Sequence, residues 1–163
     1  MNKEQYECIS KPFRNNTVLY KGLKIGNRVP TLLGYGLYPI LVGYLFLVKD
    51  TRLIQYILIP GISFIVLSFI RSKLSFLRPY EILDIDPLIQ KDTEGKSFPS
   101  RHAFSIFIIG TIWLPICMYV GILLVISGII LCICRVIGGV HFPRDVIVGA
   151  VLGILCGVFT IVL

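Results

Sequence analysis

The chain has 163 residues, the size of one domain, with 55% hydrophobic residues and a mean hydropathy of +0.83. That is too apolar for a soluble globule and reads as an integral membrane protein. The net charge of +7 does not point to nucleic acid, because most of the cations lie beside apolar runs, where anionic membrane lipids are the natural partner.

Residues 1–28 interleave Lys3, Lys11, Arg14, Lys21, Lys24 and Arg28 with Tyr6, Phe13, Leu19 and Leu23. No continuous apolar core of a signal peptide is visible there. The mixture suits an interfacial, partly amphipathic segment broken by Pro12 and Gly22, or a solvated tail. Residues 29–163 read as a single transmembrane domain. Residues 31–48 form an uncharged run of 18, about 27 Å as a helix against a hydrocarbon core of ~30 Å. Lys49 to Arg52 make a short turn. Residues 53–70 are a second run of 18, with Pro60-Gly61 in the middle predicting a kink rather than a break.

Residues 71–102 form a long polar loop in which Asp84, Asp86, Pro87, Asp92, Glu94 and Gly95 read as turns and solvated surface. Residues 103–134 then run for 32 positions without a charge, about 48 Å as one helix, too long for a single span. Two spans turning near residues 119–121, with Pro115 kinking the first, fit better. Residues 146–163 supply the last. The expectation is an all-α bundle of about five transmembrane helices. The five cysteines, Cys8, Cys117, Cys132, Cys134 and Cys156, lack CxxC spacing and read as reduced small hydrophobes rather than disulfides or a zinc site.

This topology places the N-terminus, the 71–102 loop and residues 135–145 on one face, with 14 of the 16 Lys and Arg residues, all but Lys49 and Arg52. Ser100, after Pro99, looks like a helix N-cap with Arg101 and His102 in the first turn, an end where a phosphate fits. Taken alone, an ordinary capped helix with a snorkelling arginine is the better account. Pro143 suits the first position of the last helix, with Asp145 in its first turn. His141 lies four residues before Asp145, close enough for the carboxylate to take one imidazole N–H and leave the other nitrogen to attack. A capping aspartate beside an interfacial histidine explains the spacing equally well. Arg78 and Arg135 would anchor helices at headgroups. Jointly, however, both histidines of the chain sit at helix starts on one face among arginines, which suits phosphoryl transfer.

These segments resemble the three motifs of the type 2 phosphatidic acid phosphatase (PAP2) family, membrane relatives of vanadium haloperoxidases: Lys-x6-Arg-Pro, Pro-Ser-Gly-His and Ser-Arg-x5-His-x3-Asp. The resemblance runs from Arg71 to Asp145. Three positions depart from the pattern. Arg71 stands where the family has lysine, with Lys73 the other candidate; Arg101 replaces the glycine, and Cys134 the serine. A separation of seven puts Arg71 on the face of Arg78 if the helix continues to about Leu77.

The resemblance implies a PAP2-like helical core and an enzyme that hydrolyses a lipid phosphate or pyrophosphate with no metal or other cofactor. In it His141 is the nucleophile, forming a phosphohistidine, Asp145 holds the imidazole, and His102 protonates the leaving oxygen and then activates water. Arg71, Arg78, Ser100, Arg101 and Arg135 would bind phosphate, with Lys73 and Lys96 as possible additions. Polyprenyl pyrophosphate, phosphatidic acid and phosphatidylglycerol phosphate are candidate substrates. The expected location is a bacterial plasma membrane. The positive-inside rule puts the site in the cytoplasm, whereas bacterial relatives more often imply the outer face. A membrane scaffold with an impaired site is the alternative. A transporter would instead carry ionisable groups within its spans. The sequence sets no oligomeric state.

Overall fold

The computed structural model describes residues 1–90 and 94–163, so Asp92 lies outside the described residues. Its regular elements are seven helices: α1 (Lys3–Asn15), α2 (Thr17–Leu47), α3 (Leu53–Leu74), α4 (Pro79–Ile82), α5 (Arg101–Trp113), α6 (Met118–Ile137) and α7 (Pro143–Val162). Four stretches are long and apolar enough to cross a membrane: α2, α3 with its α4 extension, α6 and α7. The chain is an integral membrane protein.

The hub is the short helix α5. It has 13 residues, about 20 Å of rise, and from Ala103 to Trp113 every residue but Ser105 is buried. α2, α3, α6 and α7 all pack against it. A helix that is apolar all round belongs inside, and this one is surrounded. The following turn falls at residues 114–117 rather than at 119–121, and Pro115 lies in it instead of kinking a span. The reason is local. Leu114 N–H bonds to Thr111 and the Ile116 and Cys117 N–H groups to Trp113, closing α5 just where proline cannot continue it. Gly121 is already inside α6, where an added Cβ would come 2.6 Å from the Leu114 side chain.

α7 lies against α5 through three glycines four residues apart. A Cβ on Gly149 would come 2.5 Å from the Ser100 carbonyl oxygen, one on Gly153 2.5 Å from that of Phe104, and one on Gly157 2.6 Å from Thr111 Cβ. Small residues at this spacing let two backbones touch where lipid provides no hydrophobic drive. The approach brings the two helix starts together, and the Ser100 N–H bonds to the Asp145 carbonyl at 2.9 Å.

The breaks expected at Pro12 and Gly22 are absent. α1 runs through Pro12 and α2 through Gly22; the break is at Asn16, whose side chain accepts from the N–H groups of Val18 and Leu19. A cap that satisfies two orphan donors outweighs one lost helical bond. Residues 17–28 are therefore the first turns of the helix that continues into the first span. α1 folds back over the site end: Tyr6 is fully buried, its hydroxyl donates to the Asp86 carbonyl at 3.3 Å, and Arg14 pairs with the Asp86 carboxylate at 2.8 Å. Ile89 N–H bonds to the Gly138 carbonyl at 3.2 Å. The N-terminus, the loop after α4 and the α6–α7 turn thus meet at one end of the bundle.

Candidate active site

Asp145 is the third residue of α7 after Pro143, and its Oδ2 accepts the Phe142 N–H at 3.0 Å. This bond fixes the carboxylate at the helix start, where the dipole favours a negative charge. The carboxylate is fully buried, and His141 is 1% exposed. The Nδ1 of His141 lies 3.6 Å from Oδ2 of Asp145, too long for a strong hydrogen bond. Beside both stands Ser97, whose hydroxyl donates to Asp145 Oδ2 at 2.5 Å and lies 3.4 Å from His141 Nδ1. The other ring nitrogen, Nε2, is buried without a hydrogen-bond partner. Burial above all pushes the His141 pKa down to about 3; Asp145 opposes, and the charges of Arg135 and Arg78 add to the lowering.

Three arginines surround this pair, all at most 5% exposed. Arg71, in the last turn of α3, donates to the carbonyls of Pro99 (2.7 Å) and Ser97 (3.3 Å). Arg78 donates to Gly95 O (3.1 Å) and to Val140 O (3.0 Å). These bonds tie the segment around Arg78 to the other two motif segments, and they use only part of each guanidinium's five donors. Glu81 supports the loop from below, taking the N–H groups of Arg78 (2.7 Å) and Gly95 (2.9 Å). Arg135 ends α6 with its Nε buried and unpartnered. Ser100 occupies the N-cap position of α5 but makes no side-chain cap bond; its hydroxyl is buried without a partner. These two buried donors, Arg135 Nε and the Ser100 hydroxyl, each costing about 1–3 kcal/mol if left dry, are a cradle for an anion.

α3 ends at Leu74, capped by Ser75 at φ 45°, and does not continue to Leu77. Arg71 still turns inward, whereas Lys73 is exposed with its ammonium over the Phe69 ring at 5.7 Å. Lys96 is exposed. Arg101 is exposed too, its guanidinium 5.8 Å from the Phe64 ring centre. Cys134, the substituted serine, packs against α2: a Cβ on Gly26 would come 2.7 Å from its sulfur. Ser97 and Glu81 carry no sequence signal of a site, and Gly95, expected as solvated surface, is buried because its carbonyl accepts from Arg78 and its N–H donates to Glu81. Among the described residues, no three His, Cys, Asp or Glu side chains gather as a metal-binding group.

His102 is half-buried and borders two cavities that share it and Thr31. One, about 510 Å³, is an apolar groove between α2, α3 and α5, floored by Gly34, Pro60 and Ile106, with Arg101 and His102 at its polar end. The other, about 540 Å³, is bounded by Lys24, Asn27 and Arg28 of α2 and by Arg135. A greasy groove and a basic chamber meeting at one histidine suit a lipid with an anionic head.

Residues 52–163 match the PAP2 superfamily. The chain belongs to this family. A curated relative, the bacitracin transport permease protein BcrC of Bacillus licheniformis, is 31% identical over 113 residues, which is 68% of this chain and 55% of the relative. The chain therefore spans about half the length of that protein. The crystal structure of Aquifex aeolicus LpxE superposes with a TM-score of 0.75 at 25% identity, covering 99% of this chain and 95% of the other. The first transmembrane PAP2-type phosphatidylglycerolphosphate phosphatase from Bacillus subtilis, 23% identical, superposes at 0.69 over 96% and 83%, a likeness of fold. The PAP2 arrangement is an all-helical membrane bundle, and the three motif segments of this chain meet at one end of it.

Proposed function

We propose that this PAP2 chain is a membrane-embedded phosphatase of lipid phosphates that works through a phosphohistidine. The observation that carries the reading is His141: a neutral buried imidazole, held on its Nδ1 side by Ser97 and Asp145, with Nε2 unpartnered. A tautomer with the proton on Nδ1 leaves the Nε2 lone pair as nucleophile.

In this mechanism Nε2 attacks phosphorus and the bond to the lipid oxygen breaks as His102 gives that oxygen a proton. A water then attacks, His102 takes its proton, and the P–N bond returns its electrons to Nε2. Arg78, Arg135 and Arg71, with the Ser100 hydroxyl and N–H groups at the start of α5, neutralise the equatorial oxygens. The tail lies in the apolar groove. Ser97 and Asp145 share the stabilisation of the positive charge that grows on the ring.

Phosphate release from a lipid phosphate tests this directly. Activity should be blocked by vanadate, lost in His141→Ala, and accompanied by an acid-labile phosphoenzyme that His102→Ala still forms from a substrate with a good leaving group. Normal turnover by His141→Ala overturns the mechanism. Absence of release from every lipid phosphate by the intact chain favours a scaffold with an impaired site.

A further inference from the structure

The two oxygens of the Asp145 carboxylate have unequal surroundings. Oδ2 accepts the Ser97 hydroxyl and the Phe142 N–H and lies near His141 Nδ1. Oδ1 is buried without a hydrogen bond, and Arg144 Nε lies 3.5 Å from it. The two are close enough for an ion pair but not aligned as a hydrogen bond. Arg144 has no part in the phosphoryl transfer itself, yet it borders the carboxylate on which the nucleophile depends.

The position of Arg144 needs a cause. It follows Pro143 in the first turn of α7, where the helix dipole opposes a cation. Two aromatic rings hold it there. The guanidinium carbon is 5.5 Å from the Phe76 ring centre and 5.4 Å from that of Phe142, inside the ~6 Å reach of a cation–π contact. Phe76 in turn meets Phe98 edge-on, with 5.6 Å between ring centres, and its carbonyl accepts the Ser97 N–H at 2.8 Å. Each ring comes from a different part of the site: Phe76 from the loop before Arg78, Phe98 from beside Ser97, and Phe142 from beside His141. Arg144 is thus clasped by the segments whose alignment the reaction requires.

The last torsion of an aspartate is broad and roughly two-fold, so contacts at one oxygen restrain the carboxylate only softly. A turn about that torsion would carry Oδ2 away from Ser97 and from the ring. We propose that Arg144 is a positioning residue: clasped by Phe76 and Phe142, it holds Asp145 Oδ1 and thereby keeps Oδ2 on Ser97 and the His141 ring. The proposal rests on the reading of His141 as a lipid phosphatase nucleophile. The Arg144 side chain is 60% exposed, so water screens the pair and its contribution is aim rather than stability. A planar guanidinium can lie against rings while directing one N–H edge at a carboxylate, which the ammonium of lysine cannot do. The competing role is a direct contact with substrate phosphate. That contact would act on binding, whereas aim acts on the chemical step.

The experiment measures kcat, KM, inhibition by vanadate and Tm for the purified full chain and for Arg144→Ala, Arg144→Gln and Arg144→Lys, on a lipid monophosphate. Both neutral variants should lose about tenfold in kcat, with KM and vanadate inhibition within about twofold of wild type and Tm nearly unchanged. Because the position is open to water, free guanidinium ion should restore part of the kcat of Arg144→Ala, and tetramethylammonium at the same ionic strength should not. Arg144→Lys should remain below wild type. Wild-type kcat in both neutral variants overturns the proposal. So does a weakening of KM or of vanadate inhibition in step with kcat, which makes Arg144 a phosphate ligand. A loss that guanidinium leaves unrestored also overturns it, since packing alone then explains the damage. Should Arg144→Ala fail to fold, Arg144→Gln carries the comparison of kcat with KM. Failure of the wild-type chain to release phosphate from any lipid overturns instead the underlying phosphatase reading.

Discussion

The Ser97 hydroxyl lies beside both His141 and Asp145, 3.4 Å from the ring nitrogen and 2.5 Å from the carboxylate oxygen, while ring and carboxylate are 3.6 Å apart. Its proton is committed to the carboxylate, so toward the ring it can only accept, which requires the proton on Nδ1. Ser97→Ala should lower kcat about tenfold, the value of one ~1.4 kcal/mol hydrogen bond, with KM little changed. Ser97→Thr should restore most of it. Steady-state kinetics of the two variants check this, and equal damage from both would show that Ser97 only packs.

The depressed His141 pKa, about 3 against an ordinary 6.5, fixes the sign of a pH effect. Between these values the unfolded chain binds a proton that the folded chain does not, so stability rises with pH across this window and is lost on acidification. Thermal unfolding in detergent from pH 4 to 7 should show a falling Tm toward acid, with a shallower slope in His141→Gln. In the same way an acid limb of kcat/KM near pH 6.5 should not arise from His141, since its imidazole stays neutral well below that.

Arg71 and Lys73 are two residues apart and differ wholly in setting: one buried on the carbonyls of Ser97 and Pro99, the other exposed beside Phe69. Lys73→Ala should stay within about twofold of wild-type kcat/KM, as surface changes do. Arg71→Ala leaves buried carbonyls unpaired, with a cost of about 1–3 kcal/mol and a loss of activity larger than stability alone predicts. Phosphate release measured beside Tm separates the two effects.

Orientation has a native reporter. Cys8 is exposed on α1, and α1 is bound to the loop at Asp86 on the site face. If the basic face is cytoplasmic, an impermeant maleimide should label Cys8 in inverted vesicles but not in intact cells, and Cys8→Ser should remove that signal. Labelling in intact cells places the site outside.

Charge-free runs marked the spans because lipid excludes ionisable groups, and the motif residues His141, Asp145 and Arg135 were readable because their spacing is local. The α5–α6 turn was misplaced because Gly121 looks like a turn residue until Leu114 is seen packed on it. The glycines at 149, 153 and 157 were in plain view as small residues four apart, and they account for the docking of α7 on α5. Ser97 was not legible: its partners lie 44 and 48 positions away, and nothing local distinguishes it from any loop serine. Lys24 and Arg28 looked interfacial because their place against Arg135 depends on Gly26 meeting Cys134 on another helix.

The α1 strap changes how this protein is to be handled. Gly139 takes φ 76° in the turn before His141, and a Cβ there would come 2.8 Å from the Tyr6 hydroxyl. Tyr6 of α1 therefore packs directly on the turn that leads into His141. Trimming α1 as a dispensable leader would expose that turn to the bulk phase, and an affinity tag is better attached at the end of α7.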